Sequence, residues 1–196
     1  MFRHRKIASP SLSSAAKGKV LLLIDWDNLF FCLFDMFKTN MQLEHRLKKL
    51  IEWVQKDIGE LFGGHGFLFA PEHLAFYHQE VCVQNNLKII VCPKRTLEKE
   101  KLNPKTGKLM KEEDTVDETI IWFGRLMMRH PDVKFICLVS GDDDFVPFFE
   151  EAGSCNIKRV LAPPTINSLS RSKRLIRLAD KHPDTLKKMI LMLDAL

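Results

Sequence analysis

The segment Ser140-Gly141-Asp142-Asp143-Asp144-Phe145 puts three carboxylates directly behind the apolar run Val133-Lys134-Phe135-Ile136-Cys137-Leu138-Val139. Carboxylates packed that closely repel one another unless a cation lies among them. A second apolar run, Val20-Leu21-Leu22-Leu23-Ile24, ends in the same way with Asp25-Trp26-Asp27-Asn28. Both runs read as buried strands, and in an open parallel α/β sheet the C-terminal strand ends line one crevice. Asp117 stands near the start of a helical stretch from Val116 to Met128, and the chain between it and Ser140 holds one helix and one return strand. Asp25, Asp117, Asp142 and Asp144 are therefore expected at one acidic edge, brought there by three separate elements.

Hard oxygen donors of this kind suit Mg²⁺ or Mn²⁺, which keep several waters and bind phosphate oxygens. The chemistry would be the metal's: polarising a phosphoryl oxygen, lowering the pKa of a bound water and stabilising the leaving oxygen. Ser140 is placed to hold a carboxylate or a phosphate oxygen. Taken singly, Asp25, Asp142 and Asp143 also read as helix N-caps, because short carboxylates accept the free amides of a first helical turn. Asp27 and Asp143 are read as caps or as outer partners of the metal acids, and Asp114 as a cap on the Val116 helix. His45, His65, His73, His78, His130 and His182 lack paired metal spacing. Trp26 is read as core in preference to a base-stacking platform.

Positioning these acids requires alternating strands and helices. The first strand, Lys19 to Asp25, leads into Leu29-Phe30-Phe31-Cys32-Leu33-Phe34 as the start of a helix. Leu43, Leu47, Leu50, Ile51, Val54 and Ile58 recur at helical spacing and predict an amphipathic helix ending at Gly63-Gly64. A strand follows at Gly66 to Ala70, a helix at Glu72 to Asn85 and a strand at Leu87 to Val91. From Pro93 to Asp114 the periodicity fails around the turn signal Asn103-Pro104-Lys105-Thr106-Gly107, so an exposed loop or hairpin is expected. Beyond the Val133 to Val139 strand come a helix at Phe145 to Ala152, a strand at Ile157 to Leu161 and helices at Ser168 to Asp180 and Thr185 to Leu196. The βαβ alternation predicts a mostly parallel sheet of about five strands between helical layers.

Composition is consistent with one globular domain over residues 19–196 behind a disordered basic, Ser-rich leader at 1–18. At 196 residues and 45% hydrophobic content, a full core can form. There is no apolar run of membrane-spanning length and no secretory h-region, so a cytoplasmic protein without membrane association is expected. Cys32, Cys82, Cys92, Cys137 and Cys155 contain no Cys-x-x-Cys pair, and the reading is buried reduced thiols. The net charge of +5 and pI near 8.9 are mildly basic although the crevice is acidic. Positive charge concentrates in three places: the leader; Lys94, Arg95, Lys99, Lys101, Lys105, Lys108 and Lys111; and Arg171, Lys173, Arg174, Arg177 and Lys181. Such a separation suits a polyanion held beside bound metal, against the alternative of a merely solvated surface.

The segments Ile24-Asp25-Trp26-Asp27-Asn28, Val116-Asp117 and Val139-Ser140-Gly141-Asp142-Asp143-Asp144-Phe145-Val146-Pro147 resemble the three signature segments of the NYN family, a branch of the PIN-like nucleases. The resemblance runs from about Lys19 to Asp180, and Ser-Gly-Asp-x-Asp-Phe is its most specific piece. It implies a three-layer α/β/α fold and metal-dependent RNA cleavage, with Asp25, Asp117, Asp142 and Asp144 holding Mg²⁺ or Mn²⁺ and Asn28 fixing metal water or the first strand's turn. Where relatives often carry Lys three places before the middle Asp and Asp six places after it, this chain has Asp114 and Phe123. Lys99, Lys101, Lys105, Lys108 and Lys111 are expected to hold the RNA backbone beside the site. Two other readings compete: an RNA-binding or regulatory module with an inactive site, and a haloacid-dehalogenase-type phosphatase built on Asp25-x-Asp27. The phosphatase pattern usually has Thr or Val where Leu29 stands.

Overall fold

The apolar run at the start of the domain is a strand, β1 (Lys19–Asp25), with both faces shut away from water. Val20, Leu22 and Ile24 point into one core and Leu21 and Leu23 into the other, as the two-residue period of a strand requires. The same division runs through β2 (Gly66–Pro71), where Leu68 and Ala70 face one way and Phe67 and Phe69 the other. It recurs in β6 (Val133–Val139), with Cys137 and Val139 opposed to Ile136 and Leu138. Only a sheet covered by helices on both faces can use strands of this kind.

The computed structural model describes residues 18–30, 41–76, 79–102, 107–164, 173–182 and 186–188. The sheet is parallel and runs in the order β3-β2-β1-β6-β7, where β3 is Leu87–Cys92 and β7 is Lys158–Leu161, with the short β8 (Leu186–Lys188) beside β7. Helical residues 26–30 (α1) and α2 (Met41–Trp53) belong to one layer. Leu47, Leu50 and Ile51 of α2 bury there, and the helix continues into a π-turn at Val54–Ile58. The short helices α3 (Glu72–Ala75) and α4 (Gln79–Gln84) lead from β2 to β3 and place Ala75 and Cys82 in that same core. The opposite layer is α5 (Val116–Met127), α6 (Val146–Ser154) and α7 (Lys173–Lys181), which bury Ile120, Phe148, Phe149, Leu175 and Leu178. Each such aliphatic or aromatic side chain contributes about 1.5–3 kcal/mol by leaving water. The expected α/β fold with a central parallel sheet flanked by helices is the observed one.

The Lys94 to Asp114 stretch is an antiparallel hairpin of β4 (Lys94–Leu102) and β5 (Leu109–Asp114), separate from the main sheet. Three expectations need correcting. The expected helix at Glu72 to Asn85 leaves α-geometry at Phe76 and is α-helical again over Gln79–Gln84, and the helix ending at Gly63-Gly64 leaves α-geometry at Trp53 and its π-turn closes at Gly59. The Thr185 to Leu196 helix gives way at Leu186–Lys188 to β8, because pairing with Arg159, Val160 and Leu161 satisfies backbone groups along the sheet edge. The leader, Phe31 to Phe34 and the rest of the terminal stretch lie outside the described residues.

No helix among the described residues is long and apolar enough to cross a membrane. Cys82, Cys92 and Cys137 are buried free thiols, all pushed up by burial, and Cys155 is exposed. Trp26 is fully buried and packs on Phe30 at 5.7 Å between ring centres, so it is core.

Candidate metal centre

Strand order alone marks where a site can form. From β1 the chain builds outward through β2 to β3, then returns to add β6 and β7 on the other side, so the direction of winding reverses between β1 and β6. In open α/β sheets ligands bind at such a reversal, outside the C-terminal strand ends. Ile24 pairs with Val139 across that boundary, and the next residue on each strand is Asp25 and Ser140.

A polar clasp joins the two strand ends. Ser140 is fully buried and its hydroxyl donates to Asp25 Oδ2 at 2.8 Å, while the same oxygen accepts the Asp142 N–H at 3.2 Å. The Asn28 N–H donates to Asp25 Oδ1 at 3.1 Å, and Asn28 Oδ1 accepts the Gly141 N–H, also at 3.1 Å. Both oxygens of Asp25 are thereby engaged, and the residue is only 4% exposed. Burial pushes its carboxyl up to about 6 against the two hydrogen bonds, with Asp27 and Asp142 adding repulsion.

Asp117, Asp142 and Asp144 lie in front of this clasp, each offering one carboxylate oxygen within 4.8 Å of the other two. Asp117 comes from the first turn of α5; Asp142 and Asp144 come from the loop and 3-10 turn after β6. Asp142 caps that turn by accepting the Asp144 N–H at 3.1 Å. The carboxyl of Asp117 is raised to about 7, first by burial and then by Asp25, Asp142, Asp144 and Asp114. Oxygens around one Mg²⁺ at about 2.1 Å stand ~3–4 Å apart, so this spacing fits an ion held directly by some of the three and through water by the rest. The donor chemistry and the mutual repulsion both fit a hard divalent cation. Asp25 sits behind the three, bonded to the backbone and hydroxyl groups that place them.

The remaining expected residues separate into distinct roles. Asp143 turns away from its neighbours and accepts the N–H groups of Arg174 and Leu175, each at 3.1 Å, at the start of α7. Asp142 caps the turn that follows β6, and Asp143 bonds instead a helix start 31 residues further along the chain. Asp27 contributes its charge to Asp25 and makes no contact that places it among the three clustered oxygens. Asp114 ends β5 and faces Lys94 across the hairpin, and the residue at the head of α5 is Thr115, whose hydroxyl donates to the Pro93 carbonyl at 2.7 Å. Phe123 packs on Phe67 and Phe69 at 4.8 and 5.5 Å, an apolar position.

The hairpin cations are largely occupied by the hairpin itself. Lys101 pairs with Glu113 at 3.4 Å, Lys111 with Glu100 at 3.4 Å and Lys94 with Glu112 at 3.7 Å. Arg95 bridges Glu113 and Glu118, which ties the hairpin to α5. Lys99 and Lys108 are exposed, and Lys105 lies outside the described residues. Seven Lys and Arg against five Asp and Glu leave the Lys94 to Asp114 segment with a net charge of only +2. Cross-strand register decides those pairings, and residue spacing along the chain does not reveal it. No family model, curated protein or solved structure matches the chain.

Proposed function

We propose that the protein is a Mg²⁺- or Mn²⁺-dependent ribonuclease, an endonuclease similar to the NYN branch of the PIN-like nucleases. The observation that carries this reading is the meeting of Asp117, Asp142 and Asp144 in front of buried Asp25, at the point where the sheet reverses direction. Mg²⁺ or Mn²⁺, when bound there, supplies a Lewis acid for a phosphodiester oxygen and lowers the pKa of a water it holds. Asp117, Asp142 and Asp144 would hold the ion. Asp25 would stand behind it as a further carboxyl group, and Ser140 and Asn28 keep the two strand ends in register.

The phosphatase alternative needs Asp25 as a free nucleophile, and Asp25 is buried with both oxygens accepting hydrogen bonds. Buried reduced thiols suit a reducing, cytoplasmic setting. The test is incubation of end-labelled RNA and DNA, single-stranded and structured, with Mn²⁺, Mg²⁺ or EDTA, followed by product mapping. Cleavage at internal RNA positions that requires metal and is lost in Asp142→Asn is expected. RNA binding without cleavage under every metal would leave the inactive binding module as the reading, and cleavage in EDTA would remove the metal site.

A further inference from the structure

Resting on that ribonuclease reading, we propose that the RNA backbone is held by the exposed face of α7, through Arg174 and Arg177 with Lys173, and that Asp143 registers this face against the acidic site. Of the three basic clusters in the sequence, the hairpin and α7 lie among the described residues, and the structure separates them. In the hairpin, Lys94, Arg95, Lys101 and Lys111 are spent on glutamates of the hairpin and of α5. In α7, Leu175, Leu178 and Ala179 face the core while Lys173, Arg174 and Arg177 are exposed. Among the described residues, none of these three cations takes part in an ion pair.

Placement follows from a covalent neighbour. Asp143 stands between Asp142 and Asp144, and its carboxylate grips the first turn of α7 through the N–H groups of Arg174 and Leu175. The backbone of Arg174 is thus fixed within one residue of two of the clustered acids. Arg177 lies three positions on, about 4.5 Å further along the helix axis. The cations remain exposed beside a negative site, with the Asp143 carboxylate on the helix start between them. That juxtaposition fits a polyanion that crosses α7 and delivers one phosphate to the metal acids. Arginine also suits the task geometrically, since its planar fork meets phosphate oxygens two at a time.

The test uses the full chain in EDTA, where binding is read without cleavage. Affinity for a labelled single-stranded RNA oligomer is measured by anisotropy at several salt concentrations for wild type, R174A/R177A, R174K/R177K and the hairpin variant K99A/K101A/K108A. Each lost single-strand phosphate contact makes the log-log salt slope shallower by about 0.7. R174A/R177A should therefore lose about 1.4 in slope and roughly 25-fold in affinity at 0.1 M salt, with R174K/R177K restoring the slope. Both arginines are exposed on a helix and alanine is the better helix former, so loss of folding does not compete as an explanation; far-ultraviolet circular dichroism checks it. An unchanged slope in R174A/R177A, a slope change confined to the hairpin variant, or a wild type that binds no RNA would each overturn the inference. Wild-type cleavage in Mn²⁺ is scored separately. Cleavage with an unchanged R174A/R177A slope overturns only the α7 surface, and a lowered slope without cleavage overturns only the hydrolytic reading.

Discussion

Ser140 donates its hydroxyl to Asp25 at 2.8 Å and accepts the Asp142 N–H at 3.2 Å, so one buried oxygen links the acid at the end of β1 to the acid after β6. The link explains why a hydroxyl residue follows Val139: an apolar side chain there would leave Asp25 short of a donor in a site that excludes water.

Ser140→Ala is expected to weaken Mn²⁺ binding and RNA cleavage by about 10–100-fold, the usual effect of removing a group that orients metal ligands. Calorimetric titration of Mn²⁺ into the variant checks it. Ser140→Thr, which keeps the hydroxyl, should recover part of the loss; equal affinity in wild type and Ser140→Ala would show that Asp142 holds its position unaided.

Replacing Asp117 by Asn should abolish cleavage and raise the melting temperature of the metal-free protein at pH 8. Asp117 is a half-buried carboxylate surrounded by Asp25, Asp142, Asp144 and Asp114. Removing its charge relieves repulsion that only an ion otherwise offsets. A rise of about 2–4 °C corresponds to ~1 kcal/mol in a domain of this size. Calorimetry of the two apo proteins decides the point, and a lower melting temperature for Asp117→Asn would mean that its neighbours do not repel it.

The pH dependence follows with a definite sign. The carboxyls of Asp25 and Asp117 are raised from 3.8 to about 6 and about 7, so folding favours their protonated forms. Their stabilising contribution is complete below pH 3.8 and is lost as pH rises through 6 and 7. Apo wild type should therefore lose stability relative to a D25N/D117N variant between about pH 4 and about 7, and saturating Mg²⁺ should abolish the difference at the upper end. Parallel urea midpoints for the two proteins across that range would contradict the raised carboxyls.

Gly124 is where α5 approaches Phe148 of α6: a Cβ at this position would stand 2.4 Å from the ring's Cζ. Gly124→Ala should cost about 1–3 kcal/mol by overpacking and displace the helix that carries Asp117. Phe148→Leu in the same chain should return part of that cost. A double-mutant cycle from urea unfolding measures the coupling, and additive effects would mean that α5 does not rest on that ring.

How far the sequence foretold this arrangement depends on the range of the forces involved. Strands such as Val20 to Ile24 and Val133 to Val139 announce themselves because burial on both faces demands unbroken apolar runs, and their terminal acids stand out against that background. The turn signal in the sequence between β4 and β5 is equally local. Leu186-Lys187-Lys188 could not be read as a strand, since β7 supplies its pairing partners from far away in the chain. The partner of Asp143 was equally hidden: its carboxylate reaches Arg174 through folding, and neither residue's surroundings in the chain indicate the other. The ion pairs of the hairpin lysines were hidden for the same reason, because register with the opposite strand determines which glutamate each one meets.

The β4–β5 ribbon departs from the body of the protein at Pro93 and returns at Thr115, where a single hydroxyl-to-carbonyl bond of 2.7 Å closes the neck. Among the described residues it shares no backbone pairing with the main sheet. Such a narrow stalk makes the ribbon an appendage in the modular sense: evolution or an engineer can lengthen it, trim it or exchange it for another insert while β3 and α5 keep their places. A change of length at the ribbon's far end therefore lies remote from the carboxylates at the strand ends.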